Sequence, residues 1–195
     1  VSIVYILAKV RGTKNVQKYL GHDVMDLEPL VFFMLSNYQK VAWETLFFLL
    51  LWLSVVLLAP FDFSRFNFGP ISDYYATLTN GSRFDKIELL VLDFLKTLLK
   101  MSTRVAEGTS LCFSVLFRRP DLANVVYISE TIQWGLEEIG SAENRDNSFY
   151  KANVYKALSG LVKDTRREVV ELVHKQVFSE LAKITAERPL AEESA

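Results

Sequence analysis

The chain has 195 residues, half of them hydrophobic and 13% aromatic, with a formal net charge of −1 at pH 7. So even a balance excludes the broad basic field of a nucleic-acid binder, and the single cysteine, Cys112, excludes an internal disulfide framework. Eight Gly and five Pro favour long helices over a strand-rich fold.

Val1–Val10 reads as the end of a helix that Arg11-Gly12 interrupts. No basic region precedes the apolar Ile3–Leu7 run, so no signal peptide is expected, and Val1 in place of an initiator Met suggests a fragment. Asp23 is expected to cap a helix reaching about Asn37, with Asp26 and Glu28 near its positive end. Pro29 either kinks that helix or marks a boundary nearer Leu27.

The most telling segment runs from Trp43 to Arg65. From Leu46 to Phe61 there is no charge, and Ser54 is the only hydroxyl. Such a stretch is either a membrane span or a helix buried on every side. As a helix it is roughly 24 Å long, short of a hydrocarbon core of roughly 30 Å. Glu44 and Asp62 bracket it, and no Lys/Arg cluster marks a cytoplasmic side. The neighbouring helices are amphipathic and need an apolar partner. A central buried helix over 45–59, closed by Pro60, is therefore the preferred reading, with a span near 43–60 as its rival.

Phe61 to Asn80 reads as a long connection containing Gly69-Pro70, with a turn at Asn80-Gly81. Regular helical spacing then resumes. Asp85, with Glu88 three residues on, suggests a capped start; Ile87, Val91, Phe94, Leu95 and Leu98 line one face. Thr103–Phe117 forms a second helix that Pro120 stops, and Asp121 precedes a third through Ile139. Residues 141–148 are a polar loop. Helices at about 149–162 and 165–186 follow, and the tail from Glu187 is expected to fray. The organisation is a first helical segment over 1–66, a variable connecting loop over 67–84, a second helical segment over 85–186 and a tail over 187–195.

Recurring helices of this length pair as antiparallel hairpins, here 85–100 with 103–118 and 149–162 with 165–186. The expected fold is all-α, a right-handed α-solenoid of HEAT/armadillo-type hairpins with degenerate repeats. A compact bundle is the alternative. In a solenoid, stacked neighbours supply the burial, at roughly 1.5–3 kcal/mol per Leu, Val or Phe.

Several short motifs carry a resemblance. Val10-Arg11-Gly12-x-Lys14 is followed by His22-Asp23-Val24-x-Asp26-Leu27-Glu28-Pro29, then by Trp43-Glu44-Thr45 and Leu50-Leu51-Trp52-Leu53-Ser54. Pro60-Phe61-Asp62-Phe63-Ser64-Arg65, Arg119-Pro120-Asp121, Trp134 and Lys163 through Glu168 continue the series. Together these resemble the amino-terminal part of the tubulin-specific chaperone D (tubulin-folding cofactor D) family. The likeness is dense up to Phe66 and thins beyond it. Family proteins are much longer. The resemblance implies a scaffold that captures β-tubulin and works with other tubulin-folding cofactors and an Arf-like small GTPase to build and dismantle the αβ heterodimer. It implies cytoplasmic, microtubule-associated work, in which the assembled complex promotes GTP hydrolysis by tubulin. An unrelated HEAT-type adaptor or transport scaffold would share the fold.

Signals for catalysis are sparse. His22 and His174 are far apart, with no HExxH or Cys/His ligand spacing. There is no glycine-rich phosphate loop and no nucleophile elbow. No enzyme, cofactor, metal or nucleic-acid partner is expected, and Cys112 reads as a small core residue.

The charged turns offer the candidate contacts. Arg118 and Arg119 precede Pro120-Asp121, while Lys163, Arg166 and Arg167 precede Glu168. On one reading the basic residues meet exposed helix carbonyls and Asp caps the next helix. On the other, they line a solenoid edge and meet an acidic partner such as tubulin. Asp62 and Arg65 join this set, beside Phe61, Phe63 and Phe66, whose rings are expected to be buried under the loop.

Overall fold

The computed structural model describes residues 2–63, 69–78, 84, 86–120, 122–144 and 146–165, with isolated positions 167, 171, 179 and 182. Among them the only regular elements are helices: α1 (Ser2–Arg11), α2 (Thr13–Gln17), α3 (Leu27–Asn37), α4 (Trp43–Val56), α5 (Gly69–Leu78), α6 (Ile87–Leu98), α7 (Thr103–Leu116), α8 (Val125–Gly140) and α9 (Ser148–Asp164).

Local chemistry sets most boundaries. Gly12 adopts φ +86°, the left-handed region that separates α1 from α2. Asp23 accepts from the Met25 N–H at 2.9 Å and caps a short 3-10 turn leading into α3. Pro29 then falls in the first turn of α3, where its missing N–H costs nothing. Asn124 and Asn147 cap α8 and α9 by accepting from Tyr127 N and Tyr150 N. The cap expected at Asp121 thus lies at Asn124. The start expected at Asp85 lies at Ile87, after Lys86. Asp85 and Asp121 themselves lie outside the described residues.

The expected connection 67–84 contains a helix, α5. Gly69-Pro70 opens it, since a proline in the first helical turn is tolerated. Ile71, Ser72 and Tyr75 turn inward. The Ser72 hydroxyl bonds both backbone groups of Phe84, and Tyr75 Oη donates to Asp93 at 2.8 Å.

Consecutive helices form hairpins: α3 with α4, α6 with α7, α8 with α9. Their second members stack, α7 packing most extensively against both α4 and α9. This is the α-solenoid expected of degenerate armadillo-type repeats. The expected hairpin 85–100 with 103–118 is present as α6–α7. The helix expected at 165–186 and the tail 187–195 lie almost wholly outside the described residues. Within them, α9 pairs with α8.

The apolar helix α4 sits between layers. One side, with Leu46, Leu50 and Leu53, joins the large core shared with α3, α6 and α7. An adjacent face, Phe47 and Leu51, closes a second small core with Ala8 of α1 and Val16 of α2. Its buried hydroxyl is satisfied: Ser54 Oγ donates to Leu51 O at 2.6 Å and accepts from Gln17 Nε2 at 2.7 Å. Trp52 Nε1 donates to Gly21 O at 2.9 Å. At 14 residues, about 21 Å, α4 is too short for a bilayer. Among the described residues no helix is long and apolar enough to cross a membrane.

Glycine permits the closest helix approaches. A Cβ on Gly108 would stand 3.0 Å from Leu50 Cβ, and one on Gly160 would stand 2.5 Å from Ser114 Oγ. These positions bring α7 against α4 and α9 against α7.

Candidate functional site

The ends of α4 and α7 come together at one edge of the stack. The turn after α4 supplies Leu58, Pro60, Phe61 and Asp62; the turn after α7 supplies Arg118, Arg119 and Pro120. Between them lies an open cleft that unites three of the candidate contacts, Asp62, Arg118 and Arg119.

The two adjacent arginines have opposite fates. Arg118 is exposed, whereas Arg119 is buried. Arg119 Nη1 donates to Leu57 O at 3.1 Å and to Ala59 O at 3.0 Å, and Nη2 donates to Phe61 O at 2.7 Å. Its guanidinium covers the Phe63 ring. A planar fork of donors suits this site: α4 ends with carbonyls that have no helical partner, and a cation there opposes the helix dipole. The carbonyl-capping reading of the basic turn therefore holds for Arg119, with one change. The helix it caps is α4, the neighbour, and not its own α7. Arg119 is correspondingly a brace under the cleft.

Above that brace the rim is mixed. Leu58 is 51% exposed and Phe61 40% exposed, while Phe63 is sealed beneath them. Burial of the loop rings thus applies to Phe63 and not to Phe61; Phe66 lies outside the described residues. Asp62 and Arg118 are both exposed at the same rim. Arg65 and Arg166 lie outside the described residues. Lys163 is not part of this edge; it lines a separate groove between α1, α7 and α9. Arg167 is exposed and pairs with Glu171 at 2.9 Å.

Among the described residues, groups capable of covalent or metal chemistry are not assembled. Cys112 is fully buried, burial pushes its thiol pKa up, and Sγ donates to Leu50 O at 3.0 Å. Among the described residues no three His, Cys, Asp or Glu side chains are placed to hold a metal ion. His22 is exposed ahead of α3, and His174 lies outside the described residues.

Sequence reasoning missed two polar hubs. Asn153 of α9 is buried and donates to Leu99 O at 3.0 Å, closing the end of α6 much as Arg119 closes α4. Glu107 of α7 pairs with Lys9 of α1 and with Lys156 of α9. Neither follows from helical periodicity, because each joins elements remote in sequence.

The family model described as tubulin-specific chaperone D-like, ARM repeat, matches residues 1–139. The matched stretch takes in α1 through nearly all of α8, including both turns of the cleft, and leaves α9 outside. No solved structure matches the chain.

Proposed function

Because this chain belongs to the tubulin-specific chaperone D-like ARM repeat family, we propose that it serves as a non-enzymatic helical scaffold that captures β-tubulin. In this reading it acts with other tubulin-folding cofactors and an Arf-like small GTPase in assembling and dismantling the αβ heterodimer. The place of action is the cytoplasm, at microtubules. Any GTP hydrolysis belongs to tubulin and is promoted by the assembled complex.

The family match over residues 1–139 carries the proposal. The cleft at the ends of α4 and α7 supports it and supplies a physical means. Leu58 and Phe61 offer exposed apolar area next to the Arg118 cation. Arg119 holds the turn beneath them, so docking costs little ordering entropy. An acidic partner presenting one apolar side chain is complementary to this rim, and modest contacts repeated along a stack sum to useful affinity.

The test is retention of purified tubulin by the immobilised chain. The wild-type chain is expected to retain β-tubulin, and the pair Phe61→Ser with Arg118→Glu to retain at least about tenfold less. Absence of retention by the folded wild-type chain would overturn the reading. Undiminished retention by the double variant would remove the cleft from it.

A further inference from the structure

The groove between α1, α7 and α9 gathers lysines around one carboxylate. Lys9 of α1 and Lys156 of α9 reach Glu107 of α7 from two sides, Lys156 at 3.5 Å. Lys163 stands about two turns beyond Lys156 on α9 and lines the same groove. It is exposed and joins no ion pair among the described residues. Thr13 and Ser159 add hydroxyls, and Phe47 and Leu111 give an apolar floor. Among the described residues three lysines and one glutamate line the groove, so its lining is positive although the chain as a whole carries −1. Burial works against charge on Glu107, but the Lys9 hydrogen bond and the Lys156 and Lys9 charges prevail and hold its carboxyl below the usual range.

We infer that this groove binds an extended, carboxylate-rich segment of a partner protein, with Glu107 standing in for one of the partner's carboxylates while the groove is empty. The inference goes beyond tubulin capture and does not depend on it. Lys9 and Lys156 come from opposite ends of the chain, and Glu107 between them offsets their repulsion and fixes where their ammonium groups sit. An incoming carboxylate therefore meets partly ordered donors. Lys163 supplies the charge that Glu107 leaves unmatched. The rise from Lys156 to Lys163 along α9, about 10 Å, equals about one three-residue turn of a polyproline II chain, in which side chains three positions apart share one side. Acidic side chains three positions apart would reach both lysines. A nucleic acid fits less well, because its phosphates need a basic field wider than one groove in a chain of this charge.

Fluorescence anisotropy of the full chain tests this, using a labelled peptide with Glu at every third position and its Gln-for-Glu counterpart. The Glu peptide is expected to bind, with salt dependence, and the Gln peptide not to bind. Lys163→Glu should weaken binding at least about tenfold. Glu107→Gln should tighten it several-fold by removing the internal competitor. Glu143→Gln, the same change of net charge at an exposed position on another surface, should leave it unaltered. Lys163 is exposed, so its variant keeps the test open even if Glu107→Gln fails to fold. Equal binding of both peptides, equal tightening by Glu143→Gln, or tighter binding of duplex DNA or anionic vesicles would overturn the inference. Tubulin is absent from this assay, so its failure leaves tubulin capture untouched.

Discussion

The guanidinium carbon of Arg119 lies 3.5 Å from the centre of the Phe63 ring, and the same group holds three carbonyls of the turn that ends α4. One side chain from the α6–α7 hairpin thus closes the neighbouring hairpin. Replacing Arg119 with Ala should lower stability by about 2–4 kcal/mol, since charged hydrogen bonds and a ring contact vanish together. Arg119→Lys should recover only part of that, because an ammonium lacks the planar fork. Urea unfolding of the three chains measures both effects; unchanged midpoints would show the brace to be idle.

Leu51 is wholly buried, on the side of α4 that faces α1 and α2. Leu51→Asp should abolish cooperative unfolding, because the carboxylate would find neither water nor a cation. Leu51→Ala should cost about 2–5 kcal/mol and leave a folded chain. Calorimetry separates these outcomes, and an intact transition in the Asp variant would show that α4 is not central.

Gly135 of α8 faces Leu158 of α9, where an added Cβ would stand 2.8 Å from Leu158 Cδ1. Gly135→Ala should destabilise by about 1–3 kcal/mol through overpacking. The paired change Leu158→Val, which shortens the opposing side chain, should recover part of the loss. A double-mutant cycle by chemical denaturation reads the coupling.

Cys112 is sealed and its thiol pKa is raised by burial. The native chain should therefore resist a thiol reagent, with labelling appearing only as denaturant unfolds it. The only cysteine reports cleanly on this. Fast native labelling would mean that the α4–α7 interface opens readily.

Tyr150 donates to Glu138 Oε2 at 2.9 Å, and burial, then that carboxylate, raises its pKa above the ordinary value. Tyr75 is raised likewise by burial and by Asp93. A folded pKa above the unfolded one favours the native state fully below about pH 10. That contribution fades as pH climbs toward the folded value. Near pH 10 the native chain should show fewer ionised tyrosines than the unfolded chain by phenolate absorbance, and Tyr150→Phe should narrow the difference.

By itself the sequence determined which faces are apolar and where most helices run. Stripes such as Ile87, Val91, Phe94 and Leu98 identify α6, the charge-free run after Thr45 marks α4, and Asp23 marks the approach to α3. The motifs around Pro60-Phe61-Asp62 and Arg119-Pro120-Asp121 also carried the family resemblance, which the match over 1–139 supports. These features are legible because helical period, caps and short motifs act over a few residues. Tertiary structure alone decided which partner each face meets. Arg118 and Arg119 are the same residue type side by side, yet one faces solvent and the other caps a helix about sixty positions away. Only packing told them apart. The same holds for Glu107 between Lys9 and Lys156, and for α5, whose opening Gly69-Pro70 resembles a breaker until Ile71 and Tyr75 find a core to enter. Local chemistry fixes what a segment can become, but burial and pairing depend on segments that only folding brings into contact.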